Sequence, residues 1–588
     1  MTTQAYDAII ATITTASNAT SVTKSMVKST QWREGTSGLW LTTDCTLTKS
    51  KVYQFRTPLS GMGSGTTAIL PNIKASVTVA WDTTATPITT VGDYFMAYYA
   101  TDCSALTSLS VPDTSGLTAV GDFFMASYAD GCTYLTSLSV PNTSGLTSIG
   151  HYFMFRYAYG CRYITSLSAP NISGVTSVGQ YFMAYYASYC KDLTSLSVPD
   201  TSGLTSVNLY FMDHYAYNCD SLTSLSVPDT SGLTSIDHYF MAYYASYCKD
   251  LTSLSVPDTS GLTAVGDFFM ASYADGCSAL TSLSVPNTSG LTSIGHYFMY
   301  RYAYSCKNIT SLSAPNISGV TGVGQYFMAS YAANCEDLTS LSVPDTSGLT
   351  SVDLYFMDHY AYDCSSLTSL SVPDTSGLTS VDHYFMAYYA DGCGDLTSLS
   401  IPDTSGLTSV GDYFMAYYAT ICSALTSLSV PDTSGLTSVG DYFMAHYVYN
   451  CNNLTSLSVP DISGVTTVGT NFMDAYAYDC DSLTSLSVPD TSGLTSVGSY
   501  FMSQYAYESS SLTSLMLPST TGWFEDYDIS WSVPSSRLGY LYGYTPSATS
   551  QTAWQALTAS GKTLYINYIQ DYDHVKALPA KRRIIFYA

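Results

Sequence analysis

The sequence predicts an α/β solenoid of about 15 coils of 29 residues, each a short strand, a turn and a short helix, closed by distinct N- and C-terminal caps. Three observations predict it. Cysteine recurs every 29 residues, at Cys103, Cys132, Cys161, Cys190, Cys219, Cys248, Cys277, Cys306, Cys335, Cys364, Cys393, Cys422, Cys451 and Cys480. A fixed period of this size marks coils that stack on their neighbours. Within each period the apolar pattern switches from alternation to a helix-like stripe. Charge and tryptophan then divide the 588-residue chain into three: residues 91–512 hold 6 Lys/Arg against 35 Asp/Glu, and all six Trp lie outside them.

Residues 106–134 serve as one coil. Leu109 and Val111 alternate with Ser108 and Ser110, as in a half-buried strand. Pro112 ends the strand because it has no N–H for a ladder. Asp113–Gly116 is turn chemistry. Phe124, Met125, Tyr128, Ala129 and Cys132 then fall at i, i+1, i+4, i+5 and i+8, one face of a helix of about 10 residues. Asp122 reads as its N-cap or first-turn carboxylate. The Phe-Met pair recurs from Phe95-Met96 to Phe501-Met502, and the inner tyrosine from Tyr99 to Tyr505. A longer period of five coils, 145 residues, returns Arg156 as Arg301, His214 as His359 and His238 as His383, as block duplication would.

The ends differ in kind. Residues 1–76 are read as an N-terminal cap or attachment region, with a helix candidate over 6–30 and β-like pieces LWLTTDCTLT and KVYQFRT. The solenoid runs over 77–518, with 77–102 a degenerate first coil that carries Trp81 where the strand would be. Residues 519–588 are a C-terminal cap or attachment module. An exposed solenoid end needs such covers.

The spacing Leu-x-x-Leu-x-Val-x-x-Thr-x-x-Leu is close to the leucine-rich-repeat template. The segment CSSLTSLSVPDTSGLTSV (364–381) resembles the BspA-like bacterial leucine-rich-repeat surface proteins over about residues 77–518. It departs from them in its Phe-Met order, its longer Tyr-rich stretch and its proline after the strand. The resemblance implies surface adhesion or host contact and names no ligand.

On the helix reading, the tyrosines beside the buried stripe face outward. The position of Phe123 is aromatic in 14 of 15 coils, with Asn471 the exception. The candidate binding residues are Tyr94, Tyr98, Tyr152, Arg156, Tyr159, Tyr181, Tyr185, His214, Tyr217, Tyr243, Arg301, Tyr304, His359, Tyr388 and Tyr417. Tyrosine offers large amphipathic area at low entropy cost, which suits sugar or protein recognition. The alternative is that each ring fills the wide gap between helices of adjacent coils. The cysteines read as small buried hydrophobes, with inter-coil disulfides the alternative; Ser509 replaces the last of them, beside a cap where packing lapses. The Ser108/Ser110 ladder reads as a solvated hydroxyl face, with glycosylation or ligand contact the alternative.

Several classes are excluded. A solenoid core of this acidity repels nucleic acid and anionic membrane. No run of 18 apolar residues spans a bilayer, and no Sec-type leader is visible. No phosphate loop, H-E-x-x-H or G-x-S-x-G is present, and the cysteine and histidine spacings match no metal motif. No enzyme activity, cofactor or metal is expected. The expectation is an elongated adhesin or receptor-binding protein, extracellular or on a virion as a phage-fibre type. Its partner would be a host-surface glycan or protein. The alternative is a structural protein that packs on copies of itself.

Overall fold

The computed structural model describes residues 91–512 apart from 105, 492 and 508, together with 8–15, 31–35, 39, 41–42, 52–57, 77–80 and 514–515. The chain divides into two compact units, Met1–Leu291 and Thr292–Ala588. Each is a solenoid with a 29-residue period. Trp81 and the 519–588 module lie outside the described residues.

The first unit opens on an antiparallel sheet. β1 (Ala8–Thr15) pairs with β3 (Val52–Thr57) and β4 (Val77–Ala80), and β2 (Gln31–Glu34) pairs with β3. β1 corrects the helix candidate over 6–30 at residues 8–15; residues 16–30 lie outside the described residues. Its sequence, AIIATITT, is dominated by β-branched side chains, which lose rotamer freedom in a helix and suit a pleated sheet. β4 pairs in parallel with β5 (Leu106–Leu109), the strand of the next coil.

From there each coil has three sides. The Ser-Leu strand shortens to two residues and pairs in parallel with its copy 29 residues on, as Ser166–Leu167 does with Ser195–Leu196 and Ser427–Leu428 with Ser456–Leu457. The leucine points in and the serine out. A second short strand, absent from the sequence reading, follows the turn. Ala119–Val120 pairs with Ser148–Ile149, and Ser380–Val381 with Ser409–Val410. The turn between them is an Asx turn: Asp113 Oδ1 accepts from Ser115 N at 3.0 Å. Asn142 Oδ1 does the same for Ser144 N at 3.2 Å, so asparagine in this position builds the same turn as aspartate. The following threonine is buried and donates to the next coil, Thr114 Oγ1 to Asn142 O at 2.8 Å.

The third side overturns the helix. No helix occurs among the described residues. The Phe-Met-Tyr segment is a run of tight turns in which alternate residues are left-handed: Phe123, Met125 and Ser127 have φ of 57°, 49° and 52°. Ala126 N donates to Phe123 O and Asp130 N to Ser127 O, which closes successive four-residue turns. The alternate amides bridge coils: Ser127 N donates to Phe155 O at 2.7 Å, and Met125 N to Phe95 O at 2.8 Å.

Spacing explains why. The strand side fixes adjacent coils about 4.8 Å apart, whereas packed helices need about 8–10 Å. A turn run that satisfies its amides across coils keeps the same short spacing on every side. The inner face survives the correction, for Phe124, Met125, Tyr128, Ala129 and Cys132 are all buried. Asp122 is not an N-cap. Its Oδ1 accepts from His151 N of the next coil at 2.8 Å, and His151 Nδ1 accepts from Gln180 N at 3.0 Å.

Candidate binding surface

Tight stacking turns each repeated side chain into a ladder. Buried Phe95, Phe124 and Phe153 stack with centroids 5.5 Å apart. Buried Tyr128 and Tyr157 stack at 5.4 Å, and each phenol donates to a strand carbonyl, Tyr128 to Ser110 O and Tyr157 to Ser139 O, both at 2.6 Å. That bond lets a tyrosine be fully buried at this position: the phenol hydroxyl finds an acceptor just past the strand.

The fourteen ladder cysteines are buried thiols and not disulfides. Cys219 Sγ donates to Ala187 O at 3.1 Å, and the pattern repeats along each unit. Ser509 is buried and donates to Ala477 O at 2.8 Å, so the terminal serine keeps the bond instead of marking its loss. Burial pushes the Cys190 and Cys364 thiols up to about 12.

All fifteen candidate residues are half-buried. They fall into ladders of their own. In the first unit Tyr94, Phe123, Tyr152, Tyr181, Tyr210, Tyr239 and Phe268 stack with centroids 4.3–4.5 Å apart and planes within 19°. In the second, Tyr297 to Tyr442 stack at 4.2–4.5 Å. The rings are therefore not filler in a wide helix gap. They lie flat on one another and show their edges to solvent.

A second, partial ladder runs beside it. Tyr185, His214 and Tyr243 stack at 4.3 Å, and His359, Tyr388, Tyr417 and His446 at 4.3–4.4 Å. Tyr98 and the arginines occupy the same position in other coils. Arg156 lies 3.0 Å from Asp130 and 3.8 Å over the Tyr159 ring; Arg301 lies 3.8 Å over Tyr304. Tyr159, Tyr189, Tyr217 and Tyr247 meet at inclined angles, 5.1–5.4 Å apart.

The family model for the BspA type leucine rich repeat region matches residues 93–269, 211–417 and 386–530. The chain belongs to that family. No curated protein matches it. Among solved structures, a leucine-rich repeat protein from Bacteroides ovatus is 19% identical over 58% of this chain and 80% of its own, with a TM-score of 0.33. A leucine rich cell surface protein from Faecalibacterium prausnitzii is 16% identical over 80% and 86%, at 0.31. A leucine-rich repeat protein from Eubacterium ventriosum is 17% identical over 69% and 89%, at 0.31.

Within this BspA-type repeat the sequence reading missed the acid beside each ladder histidine. Asp213 Oδ2 lies 2.8 Å from His214 Nδ1, and Asp358 Oδ2 lies 2.7 Å from His359 Nδ1. Burial holds both carboxyls above the usual range, against the pull of the imidazole. The signal was the Asp-His dipeptide, repeated 145 residues apart. His446 is different: burial lowers it to about 4, so its ring is neutral at physiological pH. Among the described residues no group of three His, Cys, Asp or Glu could hold a metal ion.

Proposed function

We propose that this BspA-type chain is a non-enzymatic adhesin whose half-exposed ring ladders contact a host-surface glycan or protein. The observation that supports the reading is the outer ladder itself, rings stacked at 4.2–4.5 Å in both units yet half open to solvent. Exposed aromatic area costs free energy in water and usually marks contact. Tyrosine pairs an apolar face with a hydroxyl edge, which fits sugar rings or peptide surfaces. The acidic surface repels anionic polymers and leaves neutral or basic partners. Membership of the family favours a cell surface over a virion fibre as the setting. Glycan arrays and flow cytometry on host cells test the reading: saturable binding by the full chain is expected, and its absence on both overturns it. Packing of ladders between copies is the second reading. The same exposed edges favour it, and sedimentation of concentrated protein as a monomer would remove it.

A further inference from the structure

The two units carry diverged copies of one five-coil block. In the first, the phenol of Tyr185 lies flat on His214, centroids 4.3 Å apart, in the ladder position that Arg156 holds one coil earlier. In the second unit the corresponding positions are Arg301, Ser330 and His359. Arg301 still covers Tyr304 at 3.8 Å, and His359 still stacks on Tyr388 at 4.3 Å. Ser330 brings no ring. A groove of about 440 Å³ opens there, lined by Arg301, Ser330 and His359 and flanked by tyrosines such as Tyr304, Tyr326 and Tyr355. Its flanks match the first unit at Tyr159, Tyr181 and Tyr210, so the missing ring is the main difference at its centre.

We propose that this groove is a slot for a tyrosyl ring carried by a protein partner. The molecule itself shows what the space accepts: a flat phenol at coil spacing, face to face with the histidine. The assignment rests on the adhesin reading and narrows its partner from glycan or protein to protein. Ring-on-ring stacking on His359 supplies the attraction, and Arg301, its guanidinium over Tyr304, lines the groove beside it. The groove has room for the ring and the backbone that bears it.

The test titrates N-acetyl-tyrosinamide into the full chain, followed by calorimetry and saturation-transfer NMR. One saturable site per chain is expected. Ser330→Tyr, a side chain the equivalent coil already tolerates, should weaken binding by roughly fivefold or more, the worth of one stacking contact. Tyr185→Ser should open a second site. Absence of saturable binding, binding that Ser330→Tyr leaves unchanged, or displacement of the probe by a methyl hexoside overturns the slot. Failure of the adhesin reading is seen separately, on cells and glycans.

Discussion

Asp391 shows what close stacking does to one side chain. It is buried, accepts from Thr420 Oγ1, and its carboxyl is raised to about 6 by desolvation. Unfolded, the same group titrates near 3.9. Between those values the folded chain binds the proton more tightly, so this group's contribution makes stability fall as pH rises from about 4 to about 6 and stay low above. Asp391→Asn mimics the neutral acid. It should raise the melting temperature at pH 7, by up to about 2 kcal/mol of stability, and change little at pH 4. The turn aspartates act in the opposite sense: Ser115 holds Asp113 below the usual range, and its small contribution fades only as pH falls through that lowered value. For the cysteines the prediction is silence. Buried thiols are out of a reagent's reach, so iodoacetamide at pH 8 should leave the fourteen ladder cysteines unlabelled until the chain is denatured. Labelling in the native state would contradict their placement.

The turn run is the element that sequence patterning misread. Phe124, Met125, Tyr128, Ala129 and Cys132 were correctly placed on the buried face, since burial follows apolar character whatever the backbone does. The spacing that suggested a helix, however, is also that of successive four-residue turns, which point two residues in and two out. Over eight residues the two periods drift apart by only roughly 80°, too little to separate them. The two-residue strand at Ala119–Val120 was illegible because its pairing lies with the next coil and leaves no alternation to read. The outer ladders were legible as positions, but their flat stacking was not: that follows from coil spacing, which no residue type announces. The run also makes a stability prediction. Its final left-handed position is glycine at Gly131, Gly160, Gly276 and Gly392, but isoleucine at Ile421, with φ of 56°. A β-branched residue is strained there. Ile421 leaves about half its surface in water, so the relief of strain outweighs the lost contact, and Ile421→Gly should stabilise the chain by up to about 1 kcal/mol, read as a rise in melting temperature. A fall would contradict the strain.

At the scale of the whole molecule, repetition makes function a property of a surface. What the repeat multiplies is an open edge of stacked aromatic rings. The buried Tyr128 ladder and the half-exposed Tyr181 ladder divide the tyrosines between two tasks, one closing strand carbonyls and one facing solvent. Substituting the second set should leave the fold standing, because the buried ladders and inter-coil amides hold the coils. The most direct measurement of the adhesin account is therefore host-cell binding by the full chain and by a variant that carries Tyr181→Ser, Tyr210→Ser and Tyr239→Ser together with the same change at their second-unit counterparts Tyr326, Tyr355 and Tyr384. The account predicts that the wild type binds saturably, and that the variant melts within a few degrees of it yet loses roughly a hundredfold or more in affinity, about 1 kcal/mol per ring. A folded variant that binds as tightly as the wild type would contradict it.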